Sequence, residues 1–231
     1  GLDPLHDRLH AEITHEVDQR LQETEVARFD LAALDERAVD LHDIQGERAQ
    51  VAQGGVAGAA IVEPGVLNGA LQEAAGTHGF FWPPDPTSAP YCTVGGNLAC
   101  NAGGPRAVKY GATRDNVLAL AFVDGRGELI RCGAPTTKGA SGYDLTRLMV
   151  GSEGTLGLIV EATLQLVPKP EARRSLRALY RDVDAAAAAV ARLMAQPIAP
   201  SMLEFMDTQC VKLARDIGGA DIPDAGALLM I

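Results

Sequence analysis

The sequence predicts an α+β fold, because segments of helical and of strand periodicity are interspersed along its 231 residues. Residues 5–27 repeat an apolar residue every four positions between charged ones, which predicts an amphipathic helix. A strand is predicted over residues 117–123 and its partner over 128–131, because the turn Asp-Gly-Arg-Gly at 124–127 favours a β-hairpin. Residues 156–167 alternate apolar and polar side chains, which predicts a half-buried strand.

The other N-terminal elements follow from turn signals and short apolar runs, except that residues 31–50 are charged and weakly patterned. In chain order the predictions are a buried strand over 59–62, a turn over 63–66, a helix over 66–75 closed by Gly76, a short aromatic strand and then a Pro-rich loop within 78–90, a segment of Gly, Asn and small residues over 93–104, and one or two helical turns over 142–150.

The stiff run Pro168-Lys169-Pro170 is the predicted domain boundary. Beyond it we predict a strand over 173–181, an Ala-rich helix capped by Asp184 that ends near Met194, a turn and strand over 197–205, and a helix over 207–216. A final apolar strand begins at Ala225. We expect residues 171–231 to be the truncated start of a second domain, because this strand runs to the last residue.

Composition excludes several classes of function. Lys and Arg number 20 against 30 Asp and Glu, a net charge of −10, which argues against a nucleic-acid-binding protein and against a polybasic membrane anchor. No run of 18 apolar residues predicts a membrane span. The four cysteines form no CxxC pair, and the histidines form no HxH or HExxH motif, so we expect free thiols, no metal site and a cytoplasmic protein.

The densest chemical signal is a group of Gly and Asn clusters between residues 84 and 111, which read PDPTS, TVGGN, NAGG and YG. Glycines let a backbone approach a ligand closely and turn its N–H groups toward phosphates or a flat heterocycle. Asn97 and Asn101 add amide donors and acceptors. A plain Gly-rich turn is the alternative, but three clusters so close together favour a binding site.

A second signal is GYDL at 142–145 followed by GSEGTLGLI at 151–159, a turn that leads into a strand. Its backbone can line a cofactor, and the alternative is a tight turn before an edge strand. Neither group contains the Gly-Lys-Ser/Thr of a P-loop or a GxGxxG after a strand, which argues against those two kinds of nucleotide site.

Together these two motif blocks resemble the FAD-binding domain of FAD-linked oxidases in the vanillyl-alcohol oxidase superfamily. The resemblance is strongest to the branch of bacterial glycolate oxidase FAD subunits and of D-lactate and D-2-hydroxyglutarate dehydrogenases, and it is close over residues 61–170 and fair over 197–231. It implies a partial two-subdomain (PCMH-type) FAD-binding domain over 1–170, with the first subdomain incomplete or divergent and the second at about 84–170. The start of an α+β cap domain would follow over 171–231.

The resemblance also implies which residues contact a noncovalently bound FAD. Along the flavin edge it places Pro84, Asp85, Thr87 and Ser88. Around the isoalloxazine and ribityl groups it places Thr93, Gly95, Gly96 and Asn97, with Asn101, Gly103 and Gly104 continuing that wall and Tyr110 and Gly111 closing it. On the ribityl–adenosine side it places Glu153, Gly154, Gly157 and Ile159.

Two departures from the family pattern limit what the resemblance implies. The family's Gly-rich pyrophosphate loop is not recognisable in residues 28–58, where 53–58 is the only candidate. The family's substrate- and metal-binding histidines would lie beyond residue 231, so no catalytic residue is assigned. Arg106, Lys109 and Arg147 lie near the Gly-rich clusters and could attract a substrate carboxylate or a flavin phosphate, or form surface ion pairs.

The function that the resemblance implies is FAD-dependent oxidation of a small 2-hydroxy acid of the glycolate, D-lactate or D-2-hydroxyglutarate type, by hydride transfer to flavin N5. An iron–sulfur subunit or another electron acceptor, or a second copy of the chain, would be its partner, and a partner could hold it at the inner membrane. The alternative is a non-catalytic flavoprotein fragment or subunit that binds partner chains and binds FAD weakly or not at all.

Overall fold

The computed structural model describes residues 39–44, 47–54, 57–136, 139 and 141–231. Its N-terminal part is built on a six-stranded antiparallel sheet with the strand order β1-β2-β3-β7-β5-β6. The strands are β1 Val39–Ile44, β2 Glu47–Gly54, β3 Ala57–Val62, β5 Val117–Val123, β6 Leu129–Gly133 and β7 Leu158–Gln165. The predicted helix over 5–27 lies outside the described residues.

One face of this sheet carries the main hydrophobic core. Alternate residues of the central strands point into it, among them Val62, Leu120, Phe122 and Leu164. Three helices also contribute to the core, namely α1 Asn68–Thr77, α2 Val94–Cys100 and α4 Leu145–Met149. Trp82 is fully buried in this core, and its indole N–H donates to the carbonyl of Asn116 at 3.3 Å. The strand predicted over 156–167 is found as β7, and it is half-buried as predicted, since Ala162 and Leu164 are buried while Leu158 at its start is 57% exposed.

The hairpin of β2 and β3 occupies the segment in which the sequence offers a candidate pyrophosphate loop. Gln53 pairs with Gly58 and Gly54 pairs with Ala57 in antiparallel register, so the described residues of 53–58 belong to paired strands. Strand β1 and the first half of β2 also lie within residues 31–50, where the sequence pattern predicted no element.

Helix α1 begins and ends two residues later than its periodicity predicts. Leu67 forms a β-bridge with Thr93, which keeps Leu67 extended and starts the helix at Asn68. Gly76 is inside the helix, which closes at His78, where the backbone N–H bonds to the carbonyl of Ala75. The prediction that Gly76 ends this helix is therefore wrong.

Residues 93–104 differ most from expectation, because helix α2 replaces much of the predicted Gly-rich segment. Thr93 caps the helix by accepting a hydrogen bond from the Gly96 N–H at 3.1 Å. Val94 and Leu98, one turn apart, are fully buried against the core. Neither Gly95 nor Gly96 takes a positive φ, so neither glycine is required there by its backbone conformation.

Four short elements complete the N-terminal part. They are β4 Phe80–Phe81, the helical turns α3 Ala107–Tyr110 and Thr113–Asn116, and β8 Val167–Pro168. Strands β4 and β8 pair with each other, Phe81 opposite Val167.

A smaller three-stranded sheet follows residue 170, with the order β10-β11-β9 and antiparallel neighbours. Its elements are β9 Arg177–Tyr180, α5 Val183–Met194, β10 Glu204–Asp207, α6 Thr208–Asp216 and β11 Ala227–Met230. Ala186 and Ala189 of α5 pack on Ala227 and Leu229 of β11. Helices and antiparallel strands in both parts confirm the α+β class.

The cap of α5 is Asp182, and the expectation of Asp184 is wrong. The Asp182 carboxylate accepts a hydrogen bond from the Ala185 N–H at 2.7 Å, while Asp184 lies inside the first turn. The difference is physical, because a cap needs extended backbone, and Asp182 has φ −156° and ψ 170°.

We expect Asp182→Ala to lower the free energy of unfolding by about 1 kcal/mol, because one helical N–H loses its acceptor. Asp184→Ala is the matched control and should cost about 0.5 kcal/mol or less, because it removes only a first-turn charge. Urea unfolding of the two variants measures the difference. Equal losses would contradict the assignment of the cap to Asp182.

Candidate functional site

Helix α2 lies at the centre of the candidate site, and its first turn is bonded to the turn at residues 63–66. The Gly95 N–H donates to the carbonyl of Pro64 and the Val94 N–H to that of Val66, both at 2.8 Å. A Cβ on Gly95 would lie 2.6 Å from Pro64 Cβ and 2.8 Å from Pro64 O, closer than real Cβ atoms come. Glycine at 95 is therefore required for this contact between protein segments.

The last turn of α2 is bonded to the second motif block. The Gly151 N–H donates to the carbonyl of Leu98 at 2.9 Å, and the Glu153 N–H donates to that of Ala99 at 3.0 Å. Because the helix stops at Cys100, neither carbonyl has the i+4 N–H partner that a longer helix would supply, and at the helix end only the Asn101 N–H donates to Leu98, at 3.3 Å. The Gly-Ser-Glu-Gly turn thus closes the helix, and the two motif blocks form one surface.

Arg114 joins the same two segments, and no sequence motif indicates this role. Its backbone N–H donates to the Asn101 side-chain oxygen at 2.9 Å, and its Nη2 donates to the carbonyl of Val150 at 2.9 Å. Asn101 ends α2 in the left-handed region at φ 50°, where asparagine is tolerated. A lone arginine before a strand carries no recognisable pattern, so only the structure reveals its contacts.

The loop with Asp85 packs closely on Gly104. A Cβ on Gly104 would lie 2.2 Å from the Asp85 carbonyl oxygen, so glycine is required there as well. The Asp85 carboxylate accepts the backbone N–H of Arg106 at 3.1 Å and pairs with the Arg106 Nε at 3.2 Å. Burial raises the pKa of Asp85, although the N–H and the guanidinium of Arg106 act in the opposite direction.

Tyr110 and Gly111 close the loop against neighbouring protein groups. The Tyr110 ring meets Phe81 edge-on, with ring centres 5.5 Å apart. Gly111 has φ 76°, and a Cβ on it would lie 2.4 Å from the Asp115 carboxylate. Both residues therefore have structural partners in the described part of the chain.

Several groups of the motif blocks have no hydrogen-bond partner, or open space beside them, among the described residues. Among the described residues, the backbone N–H groups of Gly103, Gly104 and Gly154 have no hydrogen-bond acceptor. Gly96 is exposed, and a Cβ on it would meet only the Thr93 hydroxyl, at 3.4 Å. The side-chain N–H₂ of Asn97 is buried without a partner in a residue that is 2% exposed. The three backbone N–H groups and the Asn97 amide supply donors for a ligand rich in acceptors. We call these four donors, together with the exposed Gly96, the amide cradle.

The first turn of α2 does not offer a free anion site. The N–H groups of Val94, Gly95, Gly96 and Asn97 bond to Val66, Pro64 and Thr93. The helix N-terminus is therefore closed by protein, and donors for a ligand come from the loops that flank the helix.

The structure separates the other predicted residues into different environments. Pro84 is buried, while Thr87 and Ser88 are exposed on a turn in which the Ser88 carbonyl accepts from residues 91 and 92. Gly154 has open space around it, whereas a Cβ on Gly157 would lie 2.7 Å from the carbonyl of Val123. Ile159 is in β7 and packs on the hydrophobic core. Ile159 thus belongs to the sheet as well as to the motif, and Gly157, just before β7, packs against the end of β5.

Arg147, one of the cations near the Gly-rich clusters, forms ion pairs at the surface, and the cysteines form no disulfide. Arg147 pairs with Asp115 at 2.6 Å and with Asp144 at 3.5 Å, which is the surface pairing that the sequence left open. The Thr146 hydroxyl and the Arg147 N–H lower the pKa of Asp144, the cap of α4. All four cysteines are free. Across the described ranges, no group of three His, Cys, Asp or Glu residues is placed to hold a metal ion.

Comparison with known proteins shows the family to which this chain belongs. The family model "FAD binding domain" matches residues 30–133, and the model "FAD linked oxidases, C-terminal domain" matches residues 169–231. The chain belongs to the FAD-linked oxidases. The first match begins inside residues 28–58, so this segment, although it lacks a recognisable pyrophosphate loop, falls largely within the matched domain.

Relatives in this family share about 35–46% of the aligned residues with the chain. Glycolate oxidase subunit GlcD of Bacillus subtilis is 46% identical over 74% of this chain and 37% of that protein. D-lactate dehydrogenase of Anaerostipes hadrus is 45% identical over 65% of this chain and 31% of that protein. D-2-hydroxyglutarate dehydrogenase of Stutzerimonas stutzeri is 35% identical over 71% of this chain and 35% of that protein. The chain spans about a third of the length of the curated relatives it matches.

Solved structures support the family fold. Alkyldihydroxyacetonephosphate synthase aligns with a TM-score of 0.60 and 22% identity, over 74% of this chain and 34% of that protein. In the described part of this FAD-linked oxidase, no helix has the length and apolar character of a membrane span.

We expect Gly96→Ala to stabilise the protein without FAD and to weaken FAD binding. Alanine replaces glycine in a helix at a gain of about 0.5–1 kcal/mol, and its Cβ meets only the Thr93 hydroxyl. The added methyl group would obstruct a cofactor at the amide cradle and should lower FAD affinity about tenfold, which corresponds to about 1.4 kcal/mol.

Gly69→Ala is the matched control, because Gly69 is also exposed and helical, and a Cβ on it would have no atom within 4 Å. This variant should raise the free energy of unfolding in urea by the same amount, and it should leave FAD affinity unchanged in a flavin-fluorescence titration. Unchanged FAD affinity in Gly96→Ala would remove Gly96 from the cofactor site.

Proposed function

We propose that the protein is an FAD-dependent oxidoreductase that oxidises a small 2-hydroxy acid. The observation that carries this proposal is the amide cradle, formed where α2 joins the two motif blocks of an FAD-linked oxidase. The substrate class is supported by relatives named for glycolate, D-lactate and D-2-hydroxyglutarate. These names share a carboxylate with a hydroxyl on the adjacent carbon.

The groups of the amide cradle fit the chemistry of FAD. An isoalloxazine ring presents carbonyl oxygens and ring nitrogens along its edges, and these accept hydrogen bonds from backbone N–H groups. Gly103, Gly104 and Gly154 have such N–H groups free in the described structure, and Asn97 has an amide donor that the protein leaves unpaired. The open space at Gly96 and Gly103 admits close approach of a flat ring.

We assign cofactor contacts to the full predicted set and infer noncovalent binding. The set contains no His or Cys, the side chains that would form a bond to the flavin. Glycines 95, 104 and 111 would act by shaping the cradle, since protein atoms already occupy the space beside them. The FAD-binding domain would span residues 1–170 and the start of the cap domain residues 171–231.

FAD, when bound, supplies a two-electron acceptor at flavin N5. The balanced reaction takes a hydride from the α-carbon and a proton from the hydroxyl of the 2-hydroxy acid, which leaves a 2-oxo acid. The residues described here would orient the ring through their N–H groups and exclude water from it through the close contacts at Gly95 and Gly104. No residue of this chain is assigned as the proton acceptor.

A partner is part of the proposal. One relative is named as a subunit of glycolate oxidase, which supports assembly with other chains, and an iron–sulfur subunit or another electron acceptor would reoxidise the flavin. A second copy of the chain is the other partner we propose. The protein would be cytoplasmic, or held at the inner membrane through such a partner.

We expect the purified chain to bind added FAD and to lose the visible absorption of oxidised flavin when glycolate, D-lactate or D-2-hydroxyglutarate is added without oxygen. A 3-hydroxy acid is the control, because its hydroxyl is not on the carbon beside the carboxylate and it should leave the flavin oxidised.

Two results would contradict separate parts of the proposal. A chain that stays colourless with excess FAD would favour the non-catalytic alternative. FAD binding with no reduction by any of the three 2-hydroxy acids would contradict the reaction while leaving the cofactor site in place.

A further inference from the structure

Three cationic side chains gather around two aromatic rings at the junction of the N-terminal part and the segment after β8. The guanidinium carbons of Arg106 and Arg173 lie 5.3 and 5.7 Å from the centre of the Phe81 ring. The Lys109 ammonium lies 5.4 Å from the centre of the Tyr110 ring, which itself contacts Phe81. We call these five residues the basic aromatic cluster.

The charges of this cluster are only partly neutralised by protein. Arg106 pairs with Asp85 at 3.2 Å. Within the described ranges, neither Lys109 nor Arg173 forms an ion pair with a carboxylate, and both side chains are exposed. The chain as a whole carries a net charge of −10, so it has more carboxylates than are needed to pair with every Lys and Arg. An excess of positive charge at this one place is therefore a local feature.

Cation–π contact alone explains part of the arrangement. An aromatic face attracts a cation, but Arg106 and Arg173 both lie near the ring of Phe81, which places two like charges in one neighbourhood. A bound anion near both groups would be attracted by each of them, and guanidinium and ammonium groups are the side chains that bind oxyanions.

The position of the cluster connects it with the proposed cofactor site. Arg106 follows Gly104, whose free N–H belongs to the amide cradle, by two residues. Phe81 is in β4, which pairs with β8 immediately before the C-terminal segment that carries Arg173. The Leu203 N–H also donates to the carbonyl of Pro105, at 3.4 Å. The cluster thus lies beside the cradle and beside the second domain of the family.

We propose that the basic aromatic cluster binds an oxyanion of the reaction's own ligands, either the carboxylate of the 2-hydroxy acid or the diphosphate of FAD. This inference rests on the proposed function. A carboxylate one bond away from the reacting carbon must lie close to the flavin, and Arg106 is only two residues from Gly104, whose free N–H belongs to the amide cradle. The diphosphate of FAD is the other oxyanion that these cations could bind, and it lies away from the isoalloxazine ring of the same cofactor.

The test uses Lys109→Gln and Arg173→Gln in the whole chain, with Arg174→Gln as the matched control. Arg174 is the adjacent residue, it is exposed, and its loss changes the net charge by the same amount, but it contacts neither ring. Calorimetric titration with oxalate measures how tightly the cluster binds a carboxylate. Fluorescence titrations with FAD and with riboflavin measure how much the diphosphate contributes to cofactor affinity, because riboflavin has the same ring and no phosphate.

We expect Lys109→Gln and Arg173→Gln each to weaken one ligand about fivefold, in line with the loss of one charge-assisted contact near the surface. Weaker oxalate binding with unchanged FAD affinity assigns the site to the substrate carboxylate. Weaker FAD binding with unchanged riboflavin affinity assigns it to the diphosphate. Arg173→Lys should retain most of the affinity, since it keeps the charge, and circular dichroism should show that all variants fold.

The proposal would be overturned if both variants matched Arg174→Gln in all three titrations. That result leaves the proposed function intact when the wild-type chain still binds FAD. Failure of the wild-type chain to bind FAD or riboflavin overturns the proposed function, and the oxalate titration then decides whether the cluster binds oxyanions by itself.

Discussion

The contact between Gly95 and Pro64 is the constraint on which the candidate site depends. It brings α2 against the turn at residues 63–66 so closely that no side chain fits at position 95. Two backbone hydrogen bonds at 2.8 Å hold the helix there, and Val94 and Leu98 then fill the core below it. With its first turn fixed in this way, the last turn of α2 meets Gly151 and Glu153, and the second motif block takes its place.

The glycines of the motif blocks therefore perform different tasks that a sequence cannot separate. Gly95 and Gly104 admit neighbouring protein segments, and Gly111 takes a left-handed conformation beside Asp115. Gly96 and Gly103 have open space instead, and helical glycine at 96 costs stability that no protein contact in the described structure restores. That division supports a ligand beside Gly96 and Gly103 more strongly than the clustering of glycines does.

Strong local patterns were predictable from the sequence. Val117–Val123 was expected with its observed bounds, because its apolar run ends at an Asp-Gly turn. Helix α2 was not expected, because two glycines disfavour a helix locally and the bonds that offset them come from residues 64, 66 and 151. Asp182 and Arg114 could not be identified either, since a cap depends on backbone angles and the bonds of Arg114 reach Asn101 and Val150. The motif blocks were found because their spacing matches a family, whereas the hydrogen bonds between them depend on the tertiary structure.

Backbone amides are the groups that decide whether the amide cradle holds the flavin. Amide hydrogen exchange, followed by NMR on the chain with and without FAD, measures them at single residues. We expect the N–H groups of Gly103, Gly104 and Gly154, which lack acceptors in the described structure, to exchange quickly without FAD and to become protected when FAD is bound. The Gly95 N–H, bonded to Pro64, should be protected in both states. FAD binding that left all three open amides exchanging quickly would contradict the amide cradle as the flavin site.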